Sequence, residues 1–170
     1  MSVQMANGIL PATLFYILSM IGYAYFLFSQ KQLYYKLSLA FMGIAVCAHF
    51  ISLAMHTVAL GYLPLHNMSQ SLSIAAFALG LMFLFIQYRS ELRVLGVFAS
   101  ALISFIMLVV LVLPDAPAAT NEVLKGFWFY FHISLIFGGE AALALSCGTG
   151  LLYLLQEKGI KSKAPGFFFK

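Results

Sequence analysis

The sequence predicts an all-α fold: a polytopic bundle of five transmembrane helices, with the N-terminus outside and the C-terminus in the cytoplasm. Three observations carry this reading. Of the 170 residues, 63% are hydrophobic and only 8% are charged, and the mean hydropathy is +0.99. A soluble domain dresses its surface with roughly a quarter charged residues, so lipid is the expected solvent here. The apolar residues gather into five runs, each close to the roughly 20 residues that a helix needs to cross about 30 Å of hydrocarbon. Basic residues sit in the short breaks between those runs, and mostly in alternate breaks.

The expected spans are about 9–30, 37–60, 71–88, 94–113 and 127–155, followed by a basic tail, 156–170. The first run ends at Lys31 and Lys36, and Pro11 is expected in its first turn, where a missing N–H costs little. The first basic residue is Lys31, so the chain lacks the positive leading segment of a cleavable signal peptide. This run is therefore expected to stay in the membrane. A break at 61–70, with Pro64, His66 and Asn67, separates the second and third runs. Arg89, Glu91 and Arg93 separate the third and fourth. A polar loop, 114–125, carries Asp115, Pro117 and Glu122 ahead of the fifth. Strands cross a bilayer with only about ten residues, and runs of this length satisfy their backbone groups internally as helices.

Lys31, Lys36, Arg89, Arg93, Lys158, Lys161, Lys163 and Lys170 share one side of a five-pass chain, with Lys125 the exception. The excess of basic residues in cytoplasmic segments orients the bundle accordingly. The same scatter excludes a nucleic-acid partner, because the net charge of +4 forms no single patch. Trp128, Phe129 and Tyr130 then mark the outer interface, and Tyr34, Tyr35 and Tyr88 the inner one.

Four histidines carry most of the chemical information. His49 falls near the middle of the second helix, and His56 lies seven residues, roughly 10.5 Å, nearer its outer end. His66 falls in the first outer loop, as a solvated polar residue. His132 lies about one turn inside the outer end of the fifth helix. A histidine within a membrane helix is costly and faces a partner, a cavity or a cofactor. Neutral imidazole is also an axial ligand for haem iron. His49 and His56 remain open between a ligand and an interhelical hydrogen bond. Glu140 reads as a buried neutral acid bonded across helices, or as a proton or propionate neighbour. Cys47 and Cys147 lack metal or disulfide spacing and read as buried apolar residues. Gly138, Gly139, Gly148 and Gly150 read as sites of close helix approach. There is no nucleotide loop, nucleophile elbow or metalloprotease motif, so no catalytic residue is assigned.

The stretch Pro64-Leu65-His66-Asn67-Met68-Ser69-Gln70-Ser71-Leu72 resembles the PLxNxYESL segment of the CcsA/ResC cytochrome c assembly family, with His56-Thr57 ahead of it. Trp128-Phe129-Tyr130-Phe131-His132-Ile133 resembles the family's WLxxHV segment, and Gly139 to Lys158 is similar to the helix that follows. The resemblance implies haem handling, with b-type haem bound transiently and His132 as outer-face axial ligand. It implies Trp128, Asn67, His56 and His49 as further cofactor-binding candidates. It also implies a CcsB/ResB-like membrane partner and an apocytochrome c acceptor, in the inner (cytoplasmic) membrane, and a possible part in a haem-attachment complex. Ser69 and Gln70 replace the family's Tyr and Glu, and Glu140 stands where a tyrosine is usual. The tryptophan-rich WGxxWxWD segment is absent, since Trp128 is the one tryptophan. The expectation is an N-terminal portion of such a protein. Two alternatives remain: a b-type cytochrome in which His49 or His56 pairs with His132 on one haem, and a haem-free transporter or scaffold subunit.

Overall fold

A computed structural model describes residues 3–65, 67–90, 92–114 and 126–161. His66, Glu91, the loop 115–125 with Asp115, Pro117, Glu122 and Lys125, and the tail beyond Lys161 with Lys163 and Lys170 lie outside the described residues. The described chain forms five helices: α1 (Val3–Ser29), α2 (Gln32–Leu60), α3 (Met68–Arg89), α4 (Leu95–Val112) and α5 (Phe127–Lys161). All five are long and apolar enough to cross a membrane, and no strand occurs among the described residues.

Two boundaries differ from the sequence reading. α1 begins at Val3, so Pro11 lies inside the helix rather than in its first turn. One backbone hydrogen bond is forfeited there, a defect that membrane helices tolerate when neighbouring polar groups adjust. The Thr13 hydroxyl donates to the Ile9 carbonyl in this same stretch (2.9 Å). α5 continues through Gln156, Glu157 and Lys158 to Lys161. Those residues are good helix formers, and a Glu157–Lys161 ion pair one turn apart ties the end together.

Gln30 and Lys31 alone join α1 to α2, and Gln30 takes the left-handed conformation that closes α1 (φ 53°). At the other end of α2, Gly61 does the same (φ 74°), its N–H donating to the Thr57 carbonyl. The α1–α2 hairpin packs backbone to backbone. Gly8 lies against Ser52 and Gly22 against Ser38, with no room for a Cβ at either glycine. The Ser19 hydroxyl donates to the Ser38 carbonyl across the same seam (2.9 Å). Gly80 brings α3 onto Val46 and Tyr16, Gly96 brings α4 onto the Tyr23 ring, and Gly148 brings α5 onto Phe98.

These contacts fix an up-and-down order. The Ser69 hydroxyl at the start of α3 donates to the Val110 carbonyl near the end of α4. Gly148, late in α5, meets Phe98, early in α4. The end of α2, the start of α3, the end of α4 and the start of α5 therefore share one end of the bundle. Tyr16, Tyr23, Met42, Phe83, Leu95, Ile103, Met107 and Leu145 fill the centre. The rim is apolar as well, with Phe28, Val58, Phe85 and Val112 all largely exposed, as lipid contact requires.

Candidate functional site

The first two turns of α5 carry the densest aromatic surface of the described chain. Trp128 stacks on Phe131 at 5.7 Å between ring centroids and 17° between planes, and Phe127 also stacks on Phe131 (6.4 Å). Residues three and four apart on a helix are neighbours, which is why this sequence spacing produces a ring ladder. Gly126, Trp128, Phe129, Phe131, His132 and Leu135 line an open hollow of about 660 Å³ there. That volume is in the range of small-molecule and cofactor sites. His132 is exposed in the hollow and makes no hydrogen bond with a described residue. It is the one imidazole among the described residues that is presented outward, into an aromatic-walled space.

The other sequence candidates are placed elsewhere. His56 is half-buried about one turn from the end of α2, at the same end of the bundle as His132. Asn67 is the N-cap of α3, its side-chain oxygen accepting from the Gln70 N–H at 2.8 Å. This use of the segment follows from the capping habit of asparagine and ties down the turn between α2 and α3. Ser69 and Gln70, at the positions of the family's Tyr and Glu, are buried.

His49 is fully buried between α1 and α3. Its Nδ1 is 3.3 Å from the Tyr16 hydroxyl, and its Nε2 is 2.9 Å from the Ser73 hydroxyl. A proton on Nε2 satisfies both contacts at once, with Tyr16 donating and Ser73 accepting. Both ring nitrogens are therefore occupied by the protein, and Phe77 packs edge-on against the ring (5.6 Å). Nothing in the sequence shows that hydroxyls from two other helices would converge on this residue.

Two apolar readings are corrected. Cys47 and Cys147 are exposed on the rim of the bundle rather than buried. Glu140 is also exposed, with no hydrogen bond or ion pair to a described residue. The physical reason is shared. In a membrane protein apolar neighbours mark the lipid-facing side as readily as the interior. Of the α5 glycines, Gly148 is a close-packing site, whereas Gly138, Gly139 and Gly150 face open space.

α5 rests on α3 and α4 through Ala141, Leu145 and Gly148. His132 projects from the opposite side of that helix. An intrachain haem clamped between His132 and His49 is incompatible with this arrangement, since His49 is enclosed between α1 and α3. Among the described residues no three His, Cys, Asp or Glu side chains converge as a metal site. Haem iron needs less, because the porphyrin supplies four nitrogens and the protein adds only axial ligands.

A cytochrome c biogenesis protein CcsA from Chlorella vulgaris is 27% identical over 135 residues, which is 77% of this chain and 43% of the relative. Another CcsA, from Pyropia yezoensis, is 28% identical over 158 residues, 83% of this chain and 50% of the relative. This is a CcsA-like chain. It spans about half the length of the curated relatives it matches. No family profile matches the sequence, and no solved structure matches it. Its five apolar helices make it a multi-pass membrane protein, similar over most of its own length to CcsA proteins.

Proposed function

We propose that this CcsA-like chain handles haem for cytochrome c assembly, holding it transiently at the outer membrane face through His132. The observation that carries the reading is the exposed imidazole, without a hydrogen bond to any described residue, in an aromatic hollow at the end of α5. Haem is the cargo, and it brings the iron that an imidazole can ligate. His132 would ligate that iron through its imidazole. Trp128, Phe129 and Phe131 offer apolar faces to the macrocycle and keep bulk water from that side. Their openness suits a cargo that must leave.

In this reading the end of the bundle with His132, His56 and the Asn67 cap faces the cell exterior, as the distribution of basic residues favours. The membrane is the inner (cytoplasmic) membrane, the partner a CcsB/ResB-like protein, and the acceptor an apocytochrome c. His56 supplies a second imidazole near the same end, for the path of haem rather than for a permanent site. His49 acts by holding α1, α2 and α3 together around that path. The b-type carrier reading fits less well, because His132 projects from the side of α5 opposite its packed face, while His49 and His56 are both on α2.

The test is maturation of cytochromes c in cells whose copy carries His132→Ala. Haem-stained cytochrome c should fall at least tenfold while the variant accumulates normally in the membrane. Normal maturation with this variant overturns the assignment.

A further inference from the structure

Tyr23 and Gln87 leave two polar atoms unmet inside the bundle, towards the end opposite His132. Tyr23 is 0% exposed and Gln87 6%. The Tyr23 hydroxyl and Gln87 Oε1 are both enclosed, and neither has a hydrogen-bond partner among the described residues. Gln87 Nε2 donates to the Tyr35 hydroxyl (2.7 Å). Turning the amide over would exchange its two ends and still leave one of them unmet. A buried polar atom without a partner is costly, and apolar side chains of similar shape would fill the same space without that cost.

The two atoms belong to one junction of four helices. The Tyr23 ring meets the Tyr35 ring edge-on (6.3 Å between centroids), and Tyr35 carries the hydroxyl that Gln87 contacts. Phe83, one turn before Gln87 on the same face of α3, also packs edge-on against Tyr23 (6.0 Å). The Cε1 and Cζ atoms of Tyr23 lie against Gly96, so the hydroxyl that Cζ bears is level with the start of α4. Gln87 is two residues from the end of α3 and Gly96 one residue into α4. Each is therefore within about 3 Å, along its helix axis, of the α3–α4 connection. That connection carries Arg93, whose guanidinium lies over the Tyr35 ring (5.5 Å). Tyr35 and Arg93 are half-buried and link the junction to the surface of the bundle.

We propose that this junction is an internal water site, in which water bridges the Tyr23 hydroxyl to Gln87 Oε1 and exchanges with the membrane surface past Tyr35 and Arg93. Water matches the atoms that are left. It donates to Gln87 Oε1 and accepts from Tyr23, while the Tyr35 hydroxyl keeps a proton for a further bond. A buried water is held by about two to four such partners. The His49 junction is the dry counterpart, because Tyr16 and Ser73 take both of its ring nitrogens. Tyr16 lies seven residues before Tyr23 on nearly the same face of α1, and it is equally buried. The two tyrosines differ in that the Tyr16 hydroxyl is met by the protein. The proposal stands apart from the haem reading, because it needs neither His132 nor cargo.

The experiment is X-ray hydroxyl-radical labelling of the full chain in lipid nanodiscs, with a scavenger in the bulk solvent, read residue by residue by mass spectrometry. Radicals formed from a bound water label the side chain beside it, whereas the scavenger removes those formed outside. Tyr23 should be modified at least fivefold faster than Tyr16, although both are buried. A smaller ratio overturns the proposal, whether the Tyr23 hydroxyl then pairs directly with Gln87 or stays unmet. Gln87→Met keeps the length of the side chain and removes its polar atoms. It should lower the Tyr23 rate at least threefold and leave the rate at exposed Trp128 unchanged. A Tyr23 rate that this variant leaves as it was also overturns the proposal. The comparison of Tyr23 with Tyr16 needs no variant, so it decides even if Gln87→Met fails to fold.

Discussion

Replacing His49 by leucine separates two roles that a membrane histidine can play. The substitution keeps the volume near that of the imidazole and removes both hydrogen bonds that tie α2 to α1 and α3. It also strands the Tyr16 and Ser73 hydroxyls, which are buried (0% and 1% exposed). Interhelical hydrogen bonds in membranes contribute about 0.6 kcal/mol on average and about 1.7 at most. Two such bonds give about 1–3 kcal/mol, or roughly a 5- to 150-fold shift in the folding equilibrium. The assay is reversible unfolding in mixed micelles, titrated with a denaturing detergent, as a double-mutant cycle with Tyr16→Phe and Ser73→Ala. Each hydroxyl deletion should cost much less in the His49→Leu background than alone, because the partner is already gone. His132→Ala should leave stability unchanged, since its side chain touches nothing that folding depends on. If His49→Leu keeps full stability while haem binding disappears, the reasoning about His49 is refuted and it is a ligand instead.

Three further outcomes follow from the packing. Gly22→Leu drives a side chain into Ser38 where α1 and α2 meet; overpacking of this kind costs about 1–3 kcal/mol, read as a lower midpoint in the same titration. Asn67→Ala removes the α3 cap and should cost about 1 kcal/mol, with faster proteolysis at the α2–α3 turn. Cys47→Leu and Cys147→Leu should each change stability by less than about 0.5 kcal/mol, because both side chains face outward; a loss near 2 kcal/mol would mean they are buried.

The five helices were legible in the sequence because a bilayer imposes length and apolarity on each crossing, and the polar breaks around Lys31, Asn67 and Arg89 interrupt that pattern. Ends were less legible. Val3 to Gly8 precedes the apolar run, and Gln156 to Lys161 follows it, yet both stretches are helical because helix formation does not stop where hydrophobicity does. The outward position of His132 was anticipated only in height along α5, not in direction. Direction was the blind spot elsewhere too. Glu140, Cys47 and Cys147 sit among apolar residues, and in a soluble protein that pattern means interior. In lipid both faces of a helix are apolar, so hydropathy cannot say which one is packed. The Tyr16–His49–Ser73 junction joins residues 33 and 24 positions apart. No local spacing encodes such a meeting of three helices.

The central claim is that His132 is an axial ligand to haem in the aromatic hollow of α5. The direct measurement is the Soret and resonance Raman spectrum of the purified chain with added haem, compared with His132→Gly, each with and without free imidazole. The account predicts an iron–imidazole spectrum in the parent, its loss in His132→Gly, and its return when imidazole fills the space left by the missing side chain. An unchanged axial-ligand spectrum in His132→Gly without imidazole would contradict it.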